Sequence, residues 1–241
     1  MNNLNVEYVG KDLEAMDFAD NYHRWILNLF KPFLGKHLVE VGAGTGSFSE
    51  LLLETKPESL GLVEPSDMYV ALTKNLSKPK NSTVIRFFRN IFSEVADQIR
   101  NEQQPDTLIY INVLEHIEDD RLELETINQT LAAGGKVCIF VPSMPFLFSD
   151  FDRRIGHFRR YTKKDLIEKC EAAGFNIRVA RHFDFLGILP WFIKYRLMRS
   201  LSMESAAVQL YDRIAVPIIK PLENFIHPPI GKNLLVVAEK A

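Results

Sequence analysis

Three features of this 241-residue chain predict an α/β fold with a doubly wound, mostly parallel sheet. Short apolar runs recur along it, continuous rather than alternating in character, as in strands buried on both faces. Amphipathic stretches lie between them, each with room for one helix. The first run passes straight into a glycine-rich turn, as at the first strand-to-helix turn of a nucleotide-binding sheet.

The elements follow in order. Residues 12–34 read as a helix, with Phe18, Tyr22, Trp25, Ile26, Leu29 and Phe33 at helical spacing. Strands are predicted at 38–41, 59–63, 83–87, 107–111 and 136–141, and helices within 47–55, 67–76, 92–103 and 119–132. Leu124, Ile127 and Leu131 mark one helical face, which stops at Ala133-Gly134-Gly135. Thr162-x-x-Asp165 is a capping-box pattern opening a helix over 162–173, and Gly174 closes it. Strands at 175–182 and 233–240 complete the sheet. The 183–231 segment between them, rich in Phe, Trp, Leu, Ile and Pro, exceeds what the sheet requires. The reading is a single domain over 1–241: an N-terminal helical cap (1–35), a core (36–182), a helical insertion (183–231) and the last strand (232–241).

Composition sets limits on function. A formal charge of −2, with 46% hydrophobic and 25% charged residues, is ordinary for a globular protein and offers no global field for nucleic acid. Cys138 and Cys170 are too few for a disulfide framework or zinc site, and no metal-ligand cluster stands at useful spacing. The N-terminus lacks a signal-peptide pattern, and the apolar run 185–193 is about half the length of a membrane span. A cytoplasmic location without stable membrane insertion is expected.

The turn after the first strand reads Glu40-Val41-Gly42-Ala43-Gly44-Thr45-Gly46. A dinucleotide fingerprint needs its third small residue at position 47, and Gly46 comes one residue early. Glu40 under the turn would repel a pyrophosphate and attract a cation. Glu64, ending the second strand before Pro65, can accept from vicinal ribose hydroxyls, as for any nucleoside ligand. Asn90, after the third strand, could pair with an adenine edge or be a plain turn residue. The fourth strand runs into Asn112-Val113-Leu114-Glu115-His116-Ile117.

Taken together, E-x-G-x-G-x-G at 40–46, Glu64, the block at 106–117, LAAGGKVCIFVPS at 131–143 and FDRRIGHFRRYT at 151–162 resemble class I S-adenosylmethionine-dependent methyltransferases of the bacterial small-molecule and natural-product type. The resemblance implies a Rossmann-like seven-stranded sheet whose last strand is antiparallel and lies beside the sixth. It implies S-adenosylmethionine as cofactor, with Glu40, Gly42, Ala43, Gly44 and Gly46 at the methionine part, Glu64 and Pro65 at the ribose, Asn90 and Ile91 flanking adenine, and Asn112 and Val113 beside the sulfonium. Asn90 departs from the Asp that many relatives carry there.

His116 and His157 are the candidate bases for drawing a proton from a methyl acceptor. The alternative for each is a structural role. The loop 150–164 carries six cations against Asp150 and Asp152. It is a basic lid over an acidic substrate, a nucleic-acid contact, or a loop whose arginines hold the chain's own acids. The insertion 183–231 is expected to be a helical cover with an apolar wall. Core completion, a homodimer contact or a membrane-surface contact are its alternatives. The acceptor is expected near Tyr22, Trp25, Phe146, Arg160, Tyr161, Phe185 and Trp191. The predicted function is methyl transfer to O or N of a small hydrophobic metabolite. A non-catalytic cofactor-binding subunit and a membrane-surface enzyme acting on a lipid are the alternatives.

Overall fold

A computed structural model describes residues 19–77 and 82–241. The start of the predicted N-terminal helix, including Phe18, lies outside the described residues. The elements are α1 (Asp20–Phe30), β1 (His37–Val41), α2 (Ser47–Glu54), β2 (Ser59–Val63), α3 (Met68–Leu76), β3 (Val84–Phe88), α4 (Phe92–Gln103), β4 (Thr107–Ile111), α5 (Asp120–Thr130), β5 (Lys136–Pro142), α6 (Asp150–Arg154), α7 (Lys163–Ala172), β6 (Phe175–Phe183), α8 (Ile188–Trp191), α9 (Ser205–Leu210), α10 (Val216–Phe225) and β7 (Asn233–Lys240).

The seven strands form one sheet in the order β3-β2-β1-β4-β5-β7-β6. Strands β1 to β5 run parallel, and β7 pairs antiparallel with both β5 and β6. The continuous apolar runs are explained by two core layers. Leu38, Leu60, Ile109 and Phe140 pack on one face with α1 and α2, and Val39, Leu108, Tyr110 and Ile139 pack on the other with α4 and α5. Strand order reverses between β1 and β4, so the site opens above the carboxyl ends of those two neighbours.

The 183–231 segment does two jobs. Val216 and Ile219 join the core beside Trp25 and Phe183. Three of its buried acids also fasten it. Asp212 accepts from the backbone N–H groups of Asn21 and Tyr22 at 3.1 and 2.9 Å, supplying from outside the cap that the first turn of α1 lacks. Glu223 accepts from the backbone of Asp184 and Phe185 at 3.0 and 2.6 Å. Asp184 takes the Tyr22 and Tyr211 hydroxyls and, at 2.8 Å, the Lys232 ammonium. Core completion and cover are therefore both true of it. Pro217 and Pro221 do not break the helix as their positions suggest. A π-helical turn over Tyr211–Ala215 precedes Pro217 and takes up the register that its missing N–H disturbs.

Candidate active site

The three glycines of the first turn have positive φ and three different duties. A Cβ on Gly42 would meet Val113 at 2.4 Å, so this glycine lets β1 lie against the loop after β4. A Cβ on Gly46 would press Leu72 and Leu76 at 3.0 Å, so this one seats α2 against α3 rather than baring backbone to a ligand. Gly44 alone faces open space, with φ +55°. That space belongs to a cavity of about 390 Å³ lined by Glu40, Gly42, Ala43, Gly44, Glu64, Pro65, Ile91, Asn112 and Val113. His23, Ser47, Met68, Phe92 and Glu123, which no spacing singled out, also line it.

Glu40 is buried and accepts from the Ser49 hydroxyl at 2.5 Å. Burial raises its carboxyl to about 8, the Ser49 bond opposes this, and the charge of Glu64 adds to it. A cation placed against this carboxyl would favour its ionised form. Glu64 accepts from the Gly44 N–H at 2.8 Å and from the Ser66 N–H and hydroxyl at 2.9 and 2.5 Å. A carboxylate offers about four lone-pair sites. Two ribose hydroxyls must therefore displace one of the bonds already made. Asn90 does not line the cavity. Its side-chain oxygen accepts from the Ile91 N–H at 2.9 Å and closes the turn into α4, leaving Ile91 as the apolar wall.

A second cavity, of about 240 Å³, adjoins the first. Tyr22, Phe140, Phe151, Trp191, Tyr195, Val208 and Tyr211 give it apolar walls, and Glu115, His116, His157, Arg160 and Lys232 supply polar groups. Asn112 and His116 line both cavities. Asn112 reaches this position through a left-handed backbone, φ +53°, with its N–H bonded to Phe140 O at 2.8 Å.

The two predicted histidines come together, their rings 4.5 Å apart and nearly perpendicular. Burial lowers His116 to about 3, and the neighbouring His157 adds to the effect. His157 is also lowered by burial, but its Nδ1 lies 3.1 Å from Asp152 Oδ1, which works the other way. Asp152 is held at about 2. Burial opposes this, while bonds from His157, Ser149 and Arg160 and the Arg160 charge outweigh it. The Asp152 contact sets the His157 tautomer, so that Nε2 carries the lone pair, 3.8 Å from Glu115. Glu115 has no hydrogen-bond partner for either carboxylate oxygen, and burial raises it to about 8. Glu115, His116 and His157 form a cluster whose ligand atoms lie within 4.8 Å of one another, a geometry able to hold a metal ion. The sequence spacing offered no metal-ligand cluster, and the fold brings these three together. Spacing hides it, because His157 joins a neighbouring pair only through the loop after β5.

Four expected acceptor residues lie elsewhere. Trp25 is fully buried, its ring tilted by 36° against Phe183 with centroids 3.9 Å apart, because α1 turns this face into the core. Tyr161 is buried and donates to Asp120 at 2.8 Å and to the Leu114 carbonyl at 3.2 Å. Phe146 and Phe185 are 55% and 43% exposed and line neither cavity. Three of the six cations of the basic loop hold the chain's own acids. Arg153 pairs with Asp150, Arg159 with Asp120 and Arg160 with Asp152, at 2.6, 3.0 and 2.7 Å. Arg160 reaches the cavity with its charge already matched, stacked over Trp191 at 4.5 Å.

The comparisons with known proteins agree with this geometry. A family profile described as "Methyltransferase domain" matches residues 14–179. No curated protein sequence matches the chain. Among solved structures, a SAM dependent methyltransferase from Archaeoglobus fulgidus superposes with TM-score 0.60 at 16% identity, covering 95% of this chain and 98% of its own. The putative methyltransferase in complex with the Haloferax volcanii Trm112 activator gives 0.62 at 14% identity, covering 96% and 94%. The 1,6-didemethyltoxoflavin-N1-methyltransferase of Burkholderia thailandensis, with 1,6-didemethyltoxoflavin and S-adenosylhomocysteine bound, gives 0.58 at 16% identity, covering 96% and 82%. The profile spans more than half of the sequence, and the sheet order, the glycine turn and its two acids fit it: the chain belongs to the methyltransferase-domain family and is an enzyme with the S-adenosylmethionine-dependent methyltransferase fold.

Proposed function

We propose that this enzyme methylates an oxygen or nitrogen of a small, largely apolar acceptor held beneath the 183–231 helices. The observation that carries this reading is the shared wall. Asn112 and His116 face both the cavity of the glycine turn and the apolar cavity beside it. An apolar guest the size of benzene occupies a cavity of about 150 Å³. The second cavity, of about 240 Å³, thus admits one substituted ring or a short branched chain.

S-adenosylmethionine, when bound, supplies an electrophilic methyl group on a cationic sulfur, and the protein supplies position and electrostatics. Glu40, Gly44 and Glu64 are the residues to hold it. Gly44 leaves room where any side chain would intrude, and Glu40 offers a buried carboxyl to a cation. On the acceptor side, His157 is neutral and oriented by Asp152, which suits it to take the acceptor's proton at Nε2. His116, pushed much lower, is the weaker base and serves the wall. The Burkholderia relative, whose structure holds both an acceptor and S-adenosylhomocysteine, is a precedent for two adjoining ligands on this fold.

Incubation of the purified enzyme with methyl-labelled S-adenosylmethionine and a fractionated small-molecule extract tests the proposal. Label should move to an apolar product, and His157→Gln should lower kcat while leaving cofactor affinity within a few-fold. Tight cofactor binding with no labelled product from any fraction would instead assign the chain a non-catalytic, cofactor-sensing role.

A further inference from the structure

We infer that the outer face of the 183–231 helices is a docking surface for an anionic lipid bilayer. The inner face of α9 and α10 is spent on the fold, through Asp212, Val216, Ile219 and Glu223. The opposite face should then be polar, and it is not. Leu210, Ile214, Ile218 and Leu222 follow one another at intervals of four, continued by Phe225, and their exposure runs from 52% to 87%. A four-residue interval keeps them in one row along a helix. Earlier in the segment, α8 and the π-helical turn Phe192–Leu197 that continues it carry Leu189, Ile193 and Leu197, all exposed. Rows of exposed apolar side chains on both helical stretches of one segment exceed the scattered ones that any surface carries.

Charge selects the occupant. Between residues 186 and 226 the cations are Lys194, Arg196, Arg199, Arg213 and Lys220, and none of them is fully buried. Of the acids in that stretch, Asp212 and Glu223 are buried and face inward, and Glu204 pairs with Lys194 at 3.9 Å, so Arg196, Arg199, Arg213 and Lys220 stand against no further acid of the stretch. A protein partner or second copy would need only the apolar rows. Apolar rows flanked by positive charge match the interface of a bilayer with acidic headgroups, where leucines and phenylalanines sink below the headgroups and Lys and Arg stay among them. No helix among the described residues is long and apolar enough to cross a membrane, so the contact is lateral. Trp191 takes no part in it. Its ring faces inward, against Phe151 and beneath Arg160 and Lys232. Resting on the function proposed above, this surface narrows the acceptor to a membrane-resident amphiphile, because the same helices wall the acceptor cavity on their inner side through Trp191, Val208 and Tyr211.

Vesicle cosedimentation tests the docking surface without acceptor or turnover. The full chain should pellet with phosphatidylglycerol-containing vesicles, stay largely in solution with pure phosphatidylcholine, and be released by high salt. The triple variant Ile214→Asp, Ile218→Asp, Phe225→Asp should lose roughly tenfold or more in vesicle partitioning. All three side chains are exposed, so its melting temperature and S-adenosylmethionine affinity should match the parent, and a loss of either is controlled by the milder Ile218→Gln, Phe225→Gln pair. A parent chain that ignores anionic vesicles, or variants that bind them equally well, would overturn the inference. So would a concentration-dependent dimer in sedimentation velocity that the triple variant dissolves while vesicles go unbound, since that gives the face to a second copy. A calorimetric titration with S-adenosylmethionine reports on the cofactor site independently, so failure of either reading is seen separately.

Discussion

Binding of S-adenosylmethionine should expel a proton from Glu40. In the free protein this carboxyl is buried beside Glu64 and raised to about 8. At pH 7 it is then largely protonated. A cation placed against it favours the ionised form, so close to one proton should leave per ligand bound. The observed affinity should rise about tenfold per pH unit as pH climbs toward 8, where the linkage ends, each unit being about 1.4 kcal/mol. Glu40→Gln should bind more weakly by about 1–3 kcal/mol, the worth of a hydrogen bond to a charged group. Its affinity should be flat over the same pH range. Isothermal calorimetry at one pH in phosphate and in Tris measures the released proton directly, since the two heats differ by the buffers' ionisation enthalpies times the protons exchanged. Equal heats in the two buffers, or an unchanged difference in Glu40→Gln, would refute the assignment of Glu40 to the cation.

Other predictions follow from single contacts. Gly44→Ala should weaken cofactor binding with a folding cost of only about 1–2 kcal/mol, because the left-handed backbone is the sole strain and the space ahead is open. Gly46→Ala should instead lower the melting temperature through Leu72 and Leu76; urea titration and calorimetry on both variants separate the two effects. Trp25→Ala should cost about 3–5 kcal/mol of stability by urea unfolding, as core truncations do, with acceptor KM unaltered in the surviving folded fraction. Folded-state stability should fall between about pH 6.5 and pH 8. In that window folded Glu40 and Glu115, both raised to about 8, keep protons that the unfolded chain has lost, whereas His116 and His157, both lowered, oppose them only below the ordinary histidine range. The slope should approach about 1.4 kcal/mol per pH unit for each carboxyl, and Glu115→Gln should halve it in urea unfolding series.

Much of this was legible in the sequence because it is set by short-range chemistry. Strands buried on both faces show as unbroken apolar runs, and Thr162 does cap α7, accepting from the Asp165 N–H at 3.1 Å. The turn glycines and both acids stand within one strand-turn unit each. What sequence hides is contact made across the sheet. Asp212 caps a helix that begins 192 positions earlier in the chain, Asp20 being its first residue, and nothing in LYDRIA announces it. Trp25 and Tyr22 share a helix and an aromatic character. Both are buried in the same core cluster against Phe183, and only the tertiary packing decides that Tyr22 also lines the cavity. The Glu115, His116 and His157 cluster likewise depends on the loop after β5 folding back, with the Phe158 N–H bonded to the Glu115 carbonyl at 2.9 Å.

The two cavities also differ in what they do to charge, and this bears on turnover. The glycine-turn cavity presents Glu40, Glu64 and Glu123, whereas the adjoining cavity presents Glu115, two imidazoles lowered by burial, and the cations Arg160 and Lys232, already paired with Asp152 and Asp184. With S-adenosylmethionine held there, methyl transfer would remove the sulfonium charge from this acidic cavity. If Glu40 faces the sulfur, it regains its proton once that charge has gone, and the spent cofactor loses an ionic partner. S-adenosylhomocysteine should then bind without releasing a proton, and its affinity should not follow pH toward 8. If Glu40 instead faces the amino acid ammonium, which both forms carry, the two ligands should release the same proton. The two-buffer calorimetry, run with each ligand in turn, decides between the sulfur and the ammonium. It thereby decides whether Glu40 assists product release or only anchors the cofactor's amino acid end.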